Sequence, residues 1–188
     1  MGIIILDRDG VINEDSDHYI KSAQEWIPIP GSIAAIARLC HAGFRVVIAT
    51  NQSGLARGLY NIDDLHACHE KMNRLVSEAG GRVEAVFYSP YVDNDAPCRK
   101  PNPGMYEEIG KRFRVSLKGV PVIGDSLRDL EAAVAVGARP ILVQTGKGQK
   151  TLTQLTKMDG VTVFSDLSAA VDNLIQEAQT ESGQRFHA

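Results

Sequence analysis

The sequence predicts one α/β domain in which helices cover both faces of a mostly parallel β-sheet. Short apolar runs rich in valine and isoleucine alternate along the chain with segments whose apolar residues recur at helical spacing. A small polar cluster follows most of these runs, directly or through a loop. Because ligand sites of open α/β sheets form at the carboxyl edge of the strands, we expect these clusters to meet there.

The first predicted strand is the isoleucine-rich run at residues 3–6, which carries no charge and therefore suits a buried parallel strand. Asp7 and Asp9 follow it, and residues two apart lie on the same side of an extended chain. Two carboxylates that close repel each other, so we expect a cation or a shared proton between them. Gly10 lets the backbone leave the strand sharply. Taken alone, this Asp-x-Asp-Gly pattern is equally compatible with a surface turn.

The segment at residues 14–30 is polar, contains proline and is long for a plain connection. It is predicted to line or cover the site. Within it His18 and Tyr19 are candidate substrate contacts, although a solvated role suits each equally well. Ser32 is predicted to cap a first helix that ends at Gly43.

The remaining elements follow from the same two patterns. Apolar runs predict strands at 44–49, 83–88, 119–124, 140–143 and 161–164. Helical spacing predicts helices at 62–79, from 103 to about 114, a short one ending near 136, and helices at 151–157 and 166–178. Asn102 is predicted to cap the third helix, with Pro103 at its first position. His66 and His69 have no further ligand nearby and are interpreted as ordinary surface or interface histidines.

Residues 1–178 are predicted to form a single domain, and the polar residues 179–188 a flexible C-terminal tail. The net charge of −3 predicts no broad basic surface, so neither nucleic acid nor a membrane is an expected partner. No apolar run approaches the ~18 residues of a membrane span, and the start of the chain lacks a signal-peptide pattern. Cys40, Cys68 and Cys98 are widely spaced and favour reduced thiols. We expect a cytoplasmic monomer.

The polar clusters supply the groups that phosphoryl transfer needs. They contain three carboxylates, two cations and a Thr-Asn pair, namely Asp7, Asp9, Asp125, Arg99, Lys100, Thr50 and Asn51. Carboxylate oxygens suit Mg²⁺, and the neighbouring cations favour a phosphate-bearing substrate. One aspartate can attack phosphorus to form an aspartyl-phosphate, and a second can transfer protons. Ser53 lacks the G-x-S-x-G pattern of a serine hydrolase, and Gly146-Lys-Gly148 lacks the spacing of a P-loop.

Four motifs together resemble the haloacid dehalogenase (HAD) superfamily. They are Asp7-Arg-Asp-Gly-Val11, Thr50-Asn51, Lys100 and Gly124-Asp-Ser-Leu-Arg-Asp129, and the resemblance covers about residues 1–145. In finer detail, LDRDGVIN, TNQSGLARG, CRKPNPGM and GDSLRDLEAA are similar to the D-glycero-D-manno-heptose-1,7-bisphosphate 7-phosphatase group, whose relatives include histidinol-phosphate phosphatase domains. The resemblance implies a HAD-like three-layer Rossmannoid fold with a minimal cap or none. It also implies a hydrolase that removes the 7-phosphate of a heptose bisphosphate, a precursor of ADP-heptose and the lipopolysaccharide core.

Carried over by position, the resemblance implies roles for the carboxylates. Asp7 would be the nucleophile and Asp9 the general acid and base. Mg²⁺ would be held by Asp7, the backbone carbonyl of Asp9, and Asp125. Asp129 is expected behind the site, where it would orient Lys100 or the metal site, with helix capping as the alternative.

The resemblance also implies a substrate pocket. Thr50 and Lys100 would steady the phosphoryl group, and Arg99 would recognise the substrate. Ser126 stands where members of the group often have lysine, and its role stays open. The pocket would further be lined by Asn13, Asn51, Gln52, Ser53 and Arg57.

One departure from the group concerns the loop before Arg99. Members commonly carry a structural zinc bound by a C-x-H pair and then a C-x-C pair. This chain has Ser89-Pro-Tyr91 and Ala96-Pro-Cys98 there, and one cysteine cannot make a four-ligand site. No zinc is therefore predicted, and the proline-rich loop is expected to be held by packing. Because the loop carries Arg99 and Lys100, substrate choice stays open between the heptose bisphosphate, another small phosphate such as histidinol phosphate, and phosphosugar binding without catalysis.

Overall fold

The computed structural model describes residues 2–155 and 160–185. Its centre is a sheet whose strands are β1 (Ile3–Leu6), β2 (Arg45–Asn51), β3 (Val83–Ser89), β4 (Pro121–Gly124), β5 (Arg139–Val143) and β6 (Thr162–Phe164). The strand order is β3-β2-β1-β4-β5-β6, and every neighbouring pair is parallel, which confirms the predicted parallel sheet. Because β1 pairs with both β2 and β4, the order reverses beside β1. The carboxyl ends of β1 and β4 therefore border the position where such sheets form ligand sites.

Helices cover both faces of the sheet. They are α1 (Ser32–His41), α2 (Ile62–Glu78), α3 (Gly104–Phe113), α4 (Leu127–Ala135), α5 (Gly148–Gln154) and α6 (Leu167–Arg185). On one face, apolar residues of α1, α2 and α6 form a core with Ile4 and Leu6 of β1. On the other face, α3 and α4 form a second core with Ile3 and Ile5. β1 is thus buried on both sides, which explains why its residues are uniformly apolar.

Two helix starts differ from the prediction because the expected capping side chains bind elsewhere. α1 has Gly31 at its N-cap, and the hydroxyl of Ser32 donates instead to the carbonyl of Ile12 (2.6 Å). α3 has Pro103 at its N-cap, and the side chain of Asn102 binds backbone carbonyls of the preceding loop. Both side chains therefore hold loops at the carboxyl edge rather than helix ends.

The C-terminal part of the chain also differs from the prediction. α5 begins at Gly148, three residues early, and the predicted helical residues 156–157 lie outside the described residues. α6 continues to Arg185, so residues 179–185, predicted as a tail, are helical, whereas residues 186–188 lie outside the described part. The polar composition of this segment was a poor guide, since Glu, Gln and Arg are good helix formers.

The two longest connections at the carboxyl edge are the loops at residues 7–31 and 90–103, and neither contributes a helix or a strand of the sheet in the described structure. This agrees with the expected minimal cap. Among the helices that the structure describes, none combines the length and apolarity needed to cross a bilayer. Cys40, Cys68 and Cys98 are free thiols.

Candidate active site

The end of β1 delivers Asp7 to the carboxyl edge of the sheet. Its amide donates to the carbonyl of Ile123 in β4 (2.9 Å), so the sheet itself positions this residue. The backbone then turns at Gly10, which has a φ of 80°. A Cβ at this position would overlap Oδ2 of Asp125, so only glycine lets the carboxylate that follows β4 approach the turn. The carboxylates predicted to converge from two strands do meet at this edge.

Lys100 is almost fully buried between carboxylates. Its Nζ lies 3.0 Å from Oδ1 of Asp7 and 2.5 Å from Oδ1 of Asp129, and it donates to the carbonyl of Ala49 (2.7 Å). These three acceptors match the three donors of an ammonium group. Burial by itself lowers the pKa of Lys100, but the charges of Asp129 and Asp7 reverse this and raise the pKa, so the side chain is positively charged.

Asn51 fixes the backbone that presents this lysine. Its side-chain amide donates to the carbonyl of Lys100 (2.9 Å), and its oxygen accepts from the amide of the same residue (3.1 Å). The end of β2 and the loop before α3 are therefore joined through one side chain.

Asp129 combines both roles that were weighed for it. Oδ1 pairs with Lys100, and Oδ2 accepts hydrogen bonds from the backbone N–H (3.0 Å) and the hydroxyl (2.6 Å) of Ser126. Ser126 is the N-cap residue of α4, so its role is to start this helix. The buried carboxylate of Asp129 thus caps the N-terminus of α4 and also orients Lys100.

The carboxylate cluster has the properties of a cation site. Asp7, Asp125 and Asp129 each place an oxygen within 4.8 Å of the others. Burial, followed by the charge of Asp129, raises the pKa of Asp7 to about 7 and the pKa of Asp125 to about 8. No hydrogen bond from the described residues reaches Oδ2 of Asp7 or Oδ1 of Asp125. Closely spaced, mutually repelling oxygen donors fit a hard divalent cation such as Mg²⁺.

Asp9 is held by a set of hydrogen bonds that we call the Asp9 clamp, made by Arg8, Asn13 and Gln52. Arg8 donates through Nε (3.0 Å) and Nη2 (2.8 and 2.9 Å), Asn13 donates to Oδ1 (2.9 Å), and Gln52 donates to Oδ2 (2.8 Å). The hydroxyl of Tyr60 donates to Oε1 of Gln52 (2.6 Å) and so fixes which way that amide points. Burial favours a higher pKa for Asp9, but Arg8 and the amide donors lower it overall. The clamp therefore favours the carboxylate form.

Three sequence-based interpretations need correction around this clamp. Asn13 was predicted to line the pocket, but its side chain is fully buried and binds Asp9 instead. Arg8 was given no role, yet it is fully buried and binds both oxygens of Asp9. Because β1 ends at Leu6, the alternation of strand side chains does not reveal that Arg8 turns inward. His69 was interpreted as a surface or interface residue, but it is buried against Arg8 (Nε2 to Nη1 3.3 Å).

The remaining predicted residues line a single cavity of about 850 Å³ at the carboxyl edge. These are Asp7, Asp9, Thr50, Asn51, Gln52, Ser53, Arg57, Arg99, Lys100, Asp125 and Asp129. The loop at residues 14–30 lines it as predicted, with Tyr19 at the cavity and His18 outside the lining. Lys147 Nζ pairs with Asp15 of this loop (2.8 Å), which joins two sides of the cavity.

Three arginines concentrate positive charge at the cavity. Arg57 and Arg128 are exposed there, while Arg99 is mostly buried and donates to the carbonyl of Tyr91 (2.8 Å). Burial lowers the pKa of Arg99, and the nearby charges of Arg128 and Arg57 lower it further. No ion pair joins these three arginines to a carboxylate within the described chain. Arg128 was not predicted from the sequence, because its place at the cavity depends on how the fold orients the first turn of α4.

The loop before α3, which was expected to be held by packing, is also held by hydrogen bonds that the sequence did not predict. The side chain of Asn102 donates to the carbonyls of Asn94 (2.6 Å) and Ala96 (3.1 Å). Cys98 Sγ lies 3.6 Å from the hydroxyl of Ser89. This network fixes the segment that carries Arg99 and Lys100.

Comparisons with known proteins agree with this geometry. A family model described as polynucleotide kinase 3 phosphatase matches residues 3–126, and one described as HAD-hydrolase-like matches residues 97–170. A Bordetella bronchiseptica protein named D-glycero-beta-D-manno-heptose-1,7-bisphosphate 7-phosphatase is 55% identical over 179 residues, which covers 95% of this chain and 100% of the relative. The chain belongs to the heptose-1,7-bisphosphate 7-phosphatase family. A Pseudomonas aeruginosa member is 52% identical over 175 residues, covering 93% of this chain and 98% of that one.

Solved structures of the heptose-1,7-bisphosphate 7-phosphatase family share the fold. The crystal structure of the B. bronchiseptica D,D-heptose 1,7-bisphosphate phosphatase, complexed with magnesium and phosphate, superposes with a TM-score of 0.92 at 54% identity and covers 94% of this chain and 99% of that chain. The structure from Burkholderia thailandensis has a TM-score of 0.75 at 44% identity, covering 93% and 99%. The HAD-like three-layer fold is therefore confirmed, and the chain is a phosphatase.

Proposed function

We propose that this phosphatase removes the 7-phosphate of D-glycero-D-manno-heptose 1,7-bisphosphate through an aspartyl-phosphate on Asp7, with Mg²⁺ as cofactor. The observation that carries the proposal is the grouping of Asp7, Lys100 and Asp125 at one sheet edge, in a chain 55% identical to a phosphatase named for that substrate. The complex of the B. bronchiseptica enzyme with magnesium and phosphate supports the choice of cofactor. The product is a precursor for ADP-heptose and the lipopolysaccharide core.

Each step of the reaction is assigned to a side chain. A carboxylate oxygen of Asp7 attacks phosphorus while the bond from phosphorus to the sugar oxygen breaks. The negative charge of a bound phosphate favours the protonated form of Asp9 in the substrate complex. Asp9 then gives this proton to the leaving oxygen and takes one from the water that releases phosphate from Asp7, so both residues return to the states that they have in that complex. Lys100 and Thr50 stabilise the negative charge of the phosphoryl oxygens. Mg²⁺, held by Asp7, the backbone carbonyl of Asp9, and Asp125, supplies further charge neutralisation when bound.

A second phosphate on the substrate accounts for the arginines at the cavity. Only one phosphoryl group can occupy the position next to Asp7 and Lys100, yet Arg57, Arg99 and Arg128 add three positive charges without carboxylate partners in the described chain. Guanidinium groups bind phosphate oxygens with two parallel hydrogen bonds. The non-reacting 1-phosphate of the heptose bisphosphate supplies the anion for them.

Arg128→Ala is expected to raise the KM for the heptose bisphosphate about tenfold while kcat changes by less than about twofold, because it removes one contact to the non-reacting phosphate. The KM for p-nitrophenyl phosphate, which has a single phosphate, should stay unchanged. Steady-state phosphate release gives both values. Arg112→Ala, exposed on α3 and outside the cavity lining, is the matched control. Equal effects of Arg128→Ala on both substrates would contradict the second-phosphate assignment.

The function itself is tested by measuring phosphate release from heptose bisphosphate, histidinol phosphate and p-nitrophenyl phosphate, with Mg²⁺ or with a chelator. We expect the highest kcat/KM for the bisphosphate and no release with the chelator. A higher kcat/KM for histidinol phosphate would favour the first alternative. Binding of the bisphosphate without release of phosphate in Mg²⁺ would favour a catalytically silent phosphosugar-binding protein.

Mg²⁺ is expected to stabilise the protein more at alkaline than at acid pH. The raised pKa values of Asp7 (about 7) and Asp125 (about 8) mean that the folded state binds protons more tightly than the unfolded chain. The metal-free protein therefore loses stability as pH rises from about 4 to about 8, while Mg²⁺ competes better once these protons leave. Thermal unfolding of chelator-treated protein, with and without added MgCl₂, at about pH 6 and about pH 8.5 measures this. Asp125→Asn should reduce the increase in unfolding temperature that MgCl₂ produces. An increase that is equal at both pH values would contradict the prediction.

We also propose that the loop before α3 contains no structural zinc. Its support is the sequence of the loop, which keeps only Cys98 of the group's zinc-ligand pattern, and one cysteine cannot make a four-ligand site. Elemental analysis tests this, and a stoichiometric zinc signal would refute it. The monomeric state, the cytoplasmic location, and the absence of nucleic-acid and membrane partners stay predictions.

A further inference from the structure

The buried guanidinium of Arg8 connects Asp9 to a histidine on the neighbouring helix α2. Arg8 has no solvent exposure, and its Nε and Nη2 atoms bind Asp9. The opposite corner of the guanidinium, Nη1, lies 3.3 Å from Nε2 of His69. His69 is 8% exposed, lies outside the cavity lining, and its ring centroid is 6.4 Å from that of Tyr88. No step of the proposed reaction uses this histidine.

The contact defines the chemical state of His69. Arginine only donates hydrogen bonds, so Nε2 of His69 must accept, which leaves its ring proton on Nδ1. A protonated imidazole would place two positive charges 3.3 Å apart in a buried site. Burial lowers the pKa of His69, and the charge of Arg8 lowers it further, to about 4, which is consistent with a neutral ring. His69 is therefore a neutral acceptor and not a proton donor.

We propose that His69 is a positioning residue for proton transfer, because it holds Arg8 in the orientation that keeps Asp9 directed at the leaving group. The inference rests on the proposed acid and base role of Asp9. An arginine side chain is long and flexible, so binding Asp9 at one corner does not fix it, whereas a second contact to a helix does. Loss of that contact leaves a buried donor without its acceptor and allows the guanidinium to turn. Small displacements of reacting groups lower rates strongly.

The test compares two substrates that differ in their need for a proton on the leaving oxygen. The sugar oxygen of the heptose bisphosphate leaves poorly without a proton, whereas p-nitrophenolate leaves as the anion. We expect His69→Leu to lower kcat/KM for the bisphosphate about tenfold more than kcat/KM for p-nitrophenyl phosphate. Both values come from one protein sample, so their ratio does not depend on the folded fraction of the variant.

Three further variants make the result specific. His69→Gln keeps an oxygen acceptor and should bring the ratio to within about threefold of the wild-type value. His66→Leu alters an exposed histidine on the same helix and should leave the ratio unchanged. Asp9→Asn removes the acid itself and should lower the ratio by at least about 10².

The outcomes separate the inference from the function on which it rests. An unchanged ratio in Asp9→Asn would overturn the acid role of Asp9 and the inference with it. The inference alone would be overturned if the ratio of the two kcat/KM values falls in Asp9→Asn but is the same in His69→Leu as in His66→Leu. Equal losses on both substrates in His69→Leu would assign this histidine to folding stability and would also overturn it.

Discussion

Asp7→Asn is expected to lower turnover at least about 10³-fold and to leave the fold intact, because an amide oxygen is a poor nucleophile toward phosphorus. The new side chain has the same shape, and its oxygen can still accept from the amide of Arg8 (2.7 Å). The substitution also removes one of the charges that raise the pKa of Asp125. Above about pH 8, where the wild-type carboxyls are ionised, the metal-free variant should therefore be at least as stable as the wild type.

Two measurements check this expectation. Phosphate release gives the turnover, and intact mass after an acid quench during turnover should detect a phosphoryl group on the wild-type protein and none on Asp7→Asn. Asp63→Asn, at an exposed position in the first turn of α2, is the matched control and should keep full activity. Full activity in Asp7→Asn, or a phosphoryl group on that variant, would contradict the assignment of the nucleophile.

The sequence predicts the parts of this site that depend on local pattern. The apolar run of β1 and the glycine after Asp9 both have local physical causes, namely burial on two faces and a backbone φ that only glycine adopts easily. The convergence of Asp7, Lys100 and Asp125 follows from topology, because polar residues after parallel strands meet at one edge. These features could be derived before any coordinates were known.

The parts that were missed depend on contacts between distant residues. Arg8 and His69 are 61 residues apart in the chain and face each other only because α2 packs beside β1. Arg8 lies on no periodic pattern, whereas His69 follows Leu65 by four residues and precedes Met72 by three, so the helical spacing of α2 could have placed it on the buried face. Asn13 was expected at the pocket wall for a related reason, since the sequence gives its place in a motif but not the direction of its side chain.

Lys100→Met is expected to affect stability and catalysis together. The lysine binds Asp7 (3.0 Å), Asp129 (2.5 Å) and the carbonyl of Ala49 (2.7 Å), and removing one partner of a buried ion pair costs about 3–5 kcal/mol. This loss in the free energy of unfolding should depend on pH. Without the lysine, Asp7, whose pKa is already raised to about 7, holds its proton even more tightly in the folded state, so the cost is small near pH 4, grows as pH rises, and is complete only above that raised pKa.

Turnover in Lys100→Met should fall at least about 10³-fold, since Lys100 is the only cationic side chain among the described residues that forms an ion pair with the nucleophile. Denaturant unfolding at about pH 5 and about pH 8 gives the two free energies of unfolding, and the difference from wild type should be larger at the higher pH. Lys118→Met, at an exposed position, removes the same charge without these contacts and should change neither quantity. A loss of stability that is equal at both pH values would mean that Lys100 stabilises the fold through packing of its stem rather than through its charge.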